Sequence, residues 1–399
     1  MSAAGRVAVA GLTRAPARTL VRVLVLAVAV ALLGAMLLFV GHSLRTMTSS
    51  ATRSVPLDLQ GPVGSYSQAR KVAVGVGRQP GILQASPTAT APFAGVTRSG
   101  PSGSTSAGAG AVLAVPPGYG SHVHVYRFLY GSLRPGGIVL DQQLAATLQA
   151  HVGDVVQVRA TSRAPPRALR VTGVALITAP DVVFQPLNPQ VGPAPAQPPA
   201  DAAIMPLDTF QRTLGRDLRS VTPVTVGSSA VPGALDGVQW QVHAQVDPRG
   251  LGDTPAQAFQ RASGIANRLE RVLPGQVQFV NNLSDQLNTA AGDALYAETL
   301  YIMLAVPGAL IALGVAYLAA LGTVERDRRD LALLRARGAD RRGLLGFATV
   351  ESLALGLVAG LIGWGVALGA TDLIVRGGVG LTPGRAAIAA GACIGLAVA

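Results

Sequence analysis

The chain has 399 residues, 49% of them hydrophobic and 13% charged, with a formal net charge of +12. That charge content is lean for a soluble protein, and the basic residues are dispersed rather than gathered on one face, which argues against a nucleic-acid binder. Cys393 is the only cysteine, so neither an internal disulfide nor a cysteine-based metal site can staple the chain.

Four apolar runs punctuate the sequence: Val23–Val40, Tyr301–Leu321, Leu344–Ala370 with its single Glu351, and Ala386–Ala399. About 20 helical residues cross the ~30 Å hydrocarbon core, where every backbone N–H and C=O must be bonded internally. The first three runs meet that length; the fourth stops after 14 residues. The expected fold class is a polytopic α-helical membrane protein with three complete spans and a truncated fourth. A large α+β extracytoplasmic domain is expected between spans 1 and 2. Residues 1–22 hold four Arg and no acid, 322–345 hold seven Arg against four acids, and 41–300 are dilute in charge. Positive charge marks the cytoplasmic side. The N-terminus and 322–345 are therefore expected inside the cell membrane, and 41–300 and 371–385 outside. A cleaved signal peptide is disfavoured, because the first run exceeds a usual signal core and no A-x-A site follows it.

Residues 2–20 read as a short amphipathic helix at the membrane surface, broken near Pro16. Beyond Gly41 the external domain opens as an extended, Ser/Thr-rich stretch. Arg98–Ala111 and Pro186–Ala200 are poor in apolar side chains and read as loops or flexible insertions. Strands are expected at Gly137–Leu140, Val155–Val158, Ala168–Val171, Gly173–Ile177 and Ala202–Met205, the last followed by a short helix through Phe210. Asp141 is the expected N-cap of a helix Gln142–Ala150. Val238, Trp240, Val242, Ala244 and Val246 alternate with Gln239, Gln241, His243 and Gln245, the pattern of a half-buried strand. Thr254, Pro255 and Gln257 form a helix start ahead of the apolar stripe Phe259, Ala262, Ala266, Leu269 and Leu273, which Pro274–Gly275 ends. Asn282–Thr299 reads as helix running straight into the second span, a stalk able to couple domain and membrane mechanically.

No catalytic, cofactor-binding or metal constellation emerges. His122 and His124 could share a strand face but lack a third ligand, and an exposed strand explains them; His42, His151 and His243 are isolated. Lys71 is the only lysine, between Arg70 and Val72, so no Walker A motif is possible and any ATP and Mg must sit on a partner subunit. Glu351 is an intramembrane acid, a functional candidate by default, close enough in sequence to Arg341 or Arg342 to pair there instead. Gly356-xxx-Gly360 and Gly365-xxx-Gly369 flatten the third span for close helix packing, and Pro307 bends the second.

The loop Val324–Leu345 reads VERDRRDLALLRARGADRRGLL. Leu331 and Leu334 give it an apolar side, Arg326, Arg328, Arg329, Arg335, Arg337, Arg341 and Arg342 surround that side, and Gly338 breaks the helix. Physically this is an amphipathic element available to membrane lipid or to a protein partner. The pattern E-R-x-R-R-D-L-x-L-L-R-A-x-G-A-x-R-R, followed by a Gly-rich span with an early Glu, resembles the FtsX-like permease domain of MacB- and LolC/LolE-type ABC transporters. Arg14-Ala-Pro16-Ala-Arg18-Thr19-Leu20 is similar to the segment that precedes the family's first span. Gly136–Ala160, with its Gly153-Asp154 turn, resembles the family's periplasmic core domain.

The resemblance implies a permease subunit that pairs with a separate ABC ATP-binding subunit and works as a homodimer, a heterodimer or two fused halves. Glu325, Arg326, Arg328, Arg329, Asp330, Leu331, Leu334, Arg335, Gly338, Arg341 and Arg342 would carry the coupling contacts, and Gly41–Arg53 and Leu283–Thr299 the stalks. Motion of the ATP-binding subunit would reach the external domain for export or extraction of a hydrophobic or amphipathic substrate. The alternative is a non-transporting FtsX-like relay that controls a cell-envelope hydrolase or sensor. A third possibility is a membrane-anchored binding module without energy coupling; an enzyme is not expected.

Overall fold

The computed structural model describes residues 16–100, 103–189, 192–193, 197–220, 237–336, 341–374, 387–391 and 395. The chain divides into two compact units, Thr48–Ala291 and a second made of Met1–Met47 with Gly292–Ala399. In chain order the first elements are α1 (Pro16–Ser54), β1 (Leu59–Val63), α2 (Tyr66–Gly77), β2 (Ile82–Phe93), β3 (Gly95–Gly100), β4 (Gly103–Ala107), β5 (Gly110–Val115) and β6 (Tyr126–Gly131). Next come β7 (Gly137–Asp141), α3 (Gln142–Leu148), β8 (Val155–Arg159), β9 (Arg167–Ile177), α4 (Pro180–Val183), β10 (Ala202–Pro206), α5 (Leu207–Arg212) and α6 (Leu214–Asp217). The last are β11 (Gln239–Val246), α7 (Pro255–Val272), β12 (Val280–Asn281), α8 (Asn282–Ala336) and α9 (Arg341–Ile374).

Thr48–Ala291 is an α+β unit on one mixed sheet, ordered β12-β1-β11-β2-β5-β10-β7-β9-β8-β3-β4 with β6 beside β9. Two pairs, β5 with β10 and β7 with β9, are parallel. Strand alternation sends Val112 and Ala114 of β5 to one face and Ala111, Leu113 and Val115 to the other. On the first face α2 packs Ala69, Val72, Ala73 and Val76, and α7 packs Ala258, Ala262, Ile265, Ala266 and Leu269, against Val242 and Ala244. The α7 start is as the sequence predicts: the Thr254 hydroxyl accepts from Gln257 N–H at 3.4 Å. Asp141 caps α3 in the same way through Gln143 N–H, but α3 ends at Leu148 because Gln149 turns left-handed (φ 51°).

Prolines hide β1 and β2 from sequence reading, since a central strand has no use for a residue without N–H. The register resolves this. Pro87 lies opposite Val242 of β11, where β5 has not yet begun pairing, and Pro92 lies opposite Ala111 of β5, beyond the last β11 partner. Pro62 pairs with β11 beyond the reach of β12. Each proline therefore has a neighbouring strand on one side alone.

Three expectations need correcting. Arg98–Ala111, read as a loop, contributes to the hairpin β3–β4 and the start of β5; its strands need few apolar side chains because β3 is paired to β8. Arg98 Nε meets Asp154 at 2.9 Å and the Thr105 hydroxyl donates to Leu148 C=O at 2.8 Å. The two strands expected at Ala168–Val171 and Gly173–Ile177 are one, β9. The apparent break is a bulge at Thr172, where β9 exchanges its antiparallel partner β8 for β6. The stretch after Gly41 is not extended, because α1 continues to Ser54. Its hydroxyls bond back to preceding carbonyls, Thr46 to His42 at 3.0 Å, Thr52 to Thr48 at 3.0 Å and Ser54 to Ala51 at 2.8 Å. In Pro186–Ala200 the described residues form neither helix nor strand, and residues 1–15 of the expected surface helix lie outside the described residues.

The largest departure concerns β11, whose polar side is buried too, apart from the half-buried Gln245. Gln239, Gln241 and His243 line up across strands with Thr90, Thr88 and Ser86 of β2, and Gln60 of β1 faces His243. Tyr119 O–H donates to His243 Nδ1 at 2.7 Å, and His243 Nε2–H donates to Gln241 Oε1 at 2.7 Å. Gln241 Nε2 then donates to Thr90 at 2.9 Å and to Gln239 Oε1 at 3.0 Å. Satisfied in this way, the polar row tolerates loss of water. Burial lowers the His243 pKa from 6.5 to about 3, so the ring stays neutral, and burial holds the Tyr119 phenol well above its ordinary value. Asp58, also buried, is raised from 3.8 to about 7 against the opposing pull of the Val246 N–H; its contribution is lost as pH rises through about 7.

His243 acts in the other direction. Between pH 6.5 and about 3 the unfolded chain binds a proton that the folded unit refuses, so stability falls as the medium acidifies. His243→Gln removes the titrating ring and should flatten this acid limb, read by hydrogen exchange of β2 and β11 from about pH 7 to about pH 4. An unchanged limb would assign acid sensitivity to other groups.

Candidate functional site

Among the described residues, Thr19–Ser54 of α1 and Ser352–Leu373 of α9 are long and apolar enough to cross a membrane. The expected second span, Tyr301–Leu321, lies inside α8, and the helix runs through Pro307 unbroken. Of the fourth run, 387–391 are helical and most of the rest lies outside the described residues. Among the described residues, α1 meets α8 at Tyr301. The rings of Phe39 and Tyr301 meet edge to face at 5.7 Å, and the Ser43 and Tyr301 hydroxyls lie 3.2 Å apart.

Packing between α1 and α9 is set by glycines. A Cβ on Gly34 would stand 2.9 Å from Ala367 Cβ, and one on Gly363 would stand 2.7 Å from Val30 Cβ and meet the Ala27 carbonyl. Ala359, Gly360, Gly363 and Ala367 are buried at helical spacing, as is Gly356. Gly365 and Gly369 are exposed, and a methyl group on either would find open space. Of the four glycines singled out from sequence, two therefore share the buried side and two do not. Gly34 and Gly363, which make the closest approach, belong to no G-x-x-x-G pair and only the three-dimensional partner reveals them.

The residues expected to carry coupling contacts fall on two helices. Glu325, Arg326, Arg328, Arg329, Asp330, Leu331, Leu334 and Arg335 occupy the last turns of α8, in one helix with the apolar run Tyr301–Leu321. Arg341 and Arg342 open α9, Glu351 lies further along it, and Gly338 lies outside the described residues. His122 and His124 are exposed in the connection into β6 rather than in a strand, and no group of His, Cys, Asp or Glu among the described residues could hold a metal.

At its other end α8 begins in a buried amide cluster that sequence reading missed. Asn282 N–H donates to Asp58 C=O at 2.9 Å, and Asn282 Nδ2 donates to Leu57 C=O at 2.9 Å and to Gln60 Oε1 at 3.0 Å. Gln185 Nε2 donates to Asn282 Oδ1 at 3.1 Å and to Gln60 Oε1 at 2.6 Å. Asp58 Oδ2 accepts from Val246 N–H of β11 at 2.7 Å. Elsewhere in the unit, an open apolar cavity of about 630 Å³ lies beside α3, lined by Tyr130, Gln149, Val152 and Val174 among others.

A family model for the MacB-like periplasmic core domain matches residues 19–259, and one for the FtsX-like permease C-terminal region matches 301–399. The chain belongs to the FtsX/MacB-type ABC permease family. The first match covers nearly all of α1 and the sheet except β12, and the second covers α8 from Tyr301 onward and α9. No curated protein matches it. The permease is thus a membrane protein with an extracytoplasmic domain, from families that serve transport or regulation and that work in general with an ATP-binding subunit.

Gly363→Ala should weaken α1–α9 packing by about 1–3 kcal/mol, because the obstructing atom is backbone. Gly365→Ala should leave it unchanged. Thermal unfolding of the purified permease in detergent separates the two; equal melting points would contradict the packing described.

Proposed function

We propose that the permease is the membrane relay of an ABC assembly, passing ATP-driven motion of its partner subunit to the external domain. In this reading spans 1, 2 and 3 cross the membrane, the run from 386 begins a fourth, and the N-terminus and the residues between α8 and α9 are cytoplasmic. The observation that carries the reading is α8, a single helix from the sheet edge at Asn282 to the arginine-rich end at Ala336. Its 55 residues amount to about 80 Å of helix, far more than the ~30 Å a membrane core needs. The surplus supplies a stalk at one end and a lever at the other.

Glu325–Arg342 is the segment the ATP-binding subunit would grip, Arg side chains pairing with acids and Leu331 and Leu334 seating in an apolar cleft. Glu351 and the glycine-lined α1–α9 contact would keep the bundle stiff. The work done outside is export or extraction of a hydrophobic or amphipathic molecule. The apolar cavity beside α3 is of a size that accepts such groups.

The permease should co-purify with an ATP-binding subunit whose turnover it raises. Leu334→Asp and Arg335→Glu should each return turnover to the level of the isolated subunit while leaving the permease folded. Unchanged stimulation would refute the relay. ATP-dependent movement of a fluorescent lipid analogue in vesicles supports transport, whereas loss of envelope hydrolase activity without any transport defect supports the regulatory alternative.

A further inference from the structure

We propose that Asn282 is the positioning residue through which movement of α8 reaches the sheet, with Gln60 and Gln185 as its partners. The proposal rests on the relay reading above and deepens it. A lever moves its load only if its root is fixed, and a helix end is ordinarily the part that frays. Here the first residue of α8 donates three hydrogen bonds and accepts one, all within a cluster closed to water.

The partners lie where transmission needs them. Leu57 and Asp58 follow the end of α1 by a few residues, Gln60 belongs to β1, and Asp58 reaches across to Val246 of β11. Gln60 and Gln185 are 0% and 1% exposed, so none of these amides can exchange its protein partner for solvent. One cluster therefore binds the root of α8, the segment leaving α1, and two neighbouring strands. Gln60 Nε2 is buried without a hydrogen-bond partner, a mark of a joint held by its surroundings at some cost. Apolar packing alone would let α8 slide or turn against β1; directed amide bonds fix both its height and its rotation.

Asn282→Asp preserves the size of the side chain. It also replaces the Nδ2 donor by an oxygen facing the Leu57 carbonyl and Gln60 Oε1, so both contacts turn repulsive. The test uses the permease purified with its ATP-binding subunit, with hydrogen exchange of β1 and β11 measured with and without ATP plus vanadate. In the unsubstituted complex, nucleotide should change exchange in these strands. With Asn282→Asp that change should be lost, while stimulation of ATP turnover persists and exchange in β2 and β5 without nucleotide stays as before. A nucleotide response in Asn282→Asp equal to that of the unsubstituted complex overturns the proposal and leaves the relay standing. No response in the unsubstituted complex overturns the relay and the proposal with it. If Asn282→Asp raises exchange throughout β2 and β5, Gln185→Met, which removes one amide of the cluster at similar volume, is read by the same outcomes.

Discussion

A helix that passes from a water-facing domain into hydrocarbon must bond nearly all of its backbone groups within itself. In the proposed topology α8 is such a helix: it runs unbroken from Asn282 to Ala336, with an exception at Pro307, whose ring removes one N–H and leaves the Met303 carbonyl without its ordinary partner. An interruption would have cost several kcal/mol per exposed group in lipid. In the proposed relay, continuity of this one helix would let its Asn282 end and its arginine-rich end act as a single mechanical element. Helix α1 likewise continues beyond its apolar run to Ser54, with hydroxyls turned back onto preceding carbonyls.

The sheet meets a different constraint. Its β1–β11–β2 region has one apolar face and one face of amides, hydroxyls and an imidazole, and both are closed to water. Such a face is stable only when nearly every donor finds an acceptor, and the directed chain Tyr119–His243–Gln241–Thr90 does this with a neutral histidine. The amide cluster at Asn282 extends the principle to the point where α8 leaves the sheet. Polar contacts are directional, so they fix register and rotation in a way that a purely apolar interface does not.

Much of the architecture was legible from residues. The apolar runs at 23–40 and 344–370, the α+β character of the middle, the Thr254 and Asp141 caps and the unbroken helix from Asn282 follow from length, periodicity and capping chemistry. What stayed hidden has a common cause: it depends on partners distant in sequence. Pro62, Pro87 and Pro92 read as strand breakers until the register shows each beside a single neighbour. The polar residues of β11 read as a solvent face because alternation reports two faces and not what covers them. Gly34 and Gly363 carry no motif, and Asn282 looks like any residue at a helix start. The arginine segment was recognisable by its pattern.

Sidedness is the claim on which the relay stands, and one labelling measurement tests it most directly. With Cys393 replaced by Ala, single cysteines are placed at Ala339 and at the exposed His151, and intact cells are treated with a membrane-impermeant maleimide. The account predicts labelling at 151 in intact cells and at 339 only after the membrane is opened. Labelling of 339 from outside would place the arginine-rich segment away from any ATP-binding subunit and contradict the assignment.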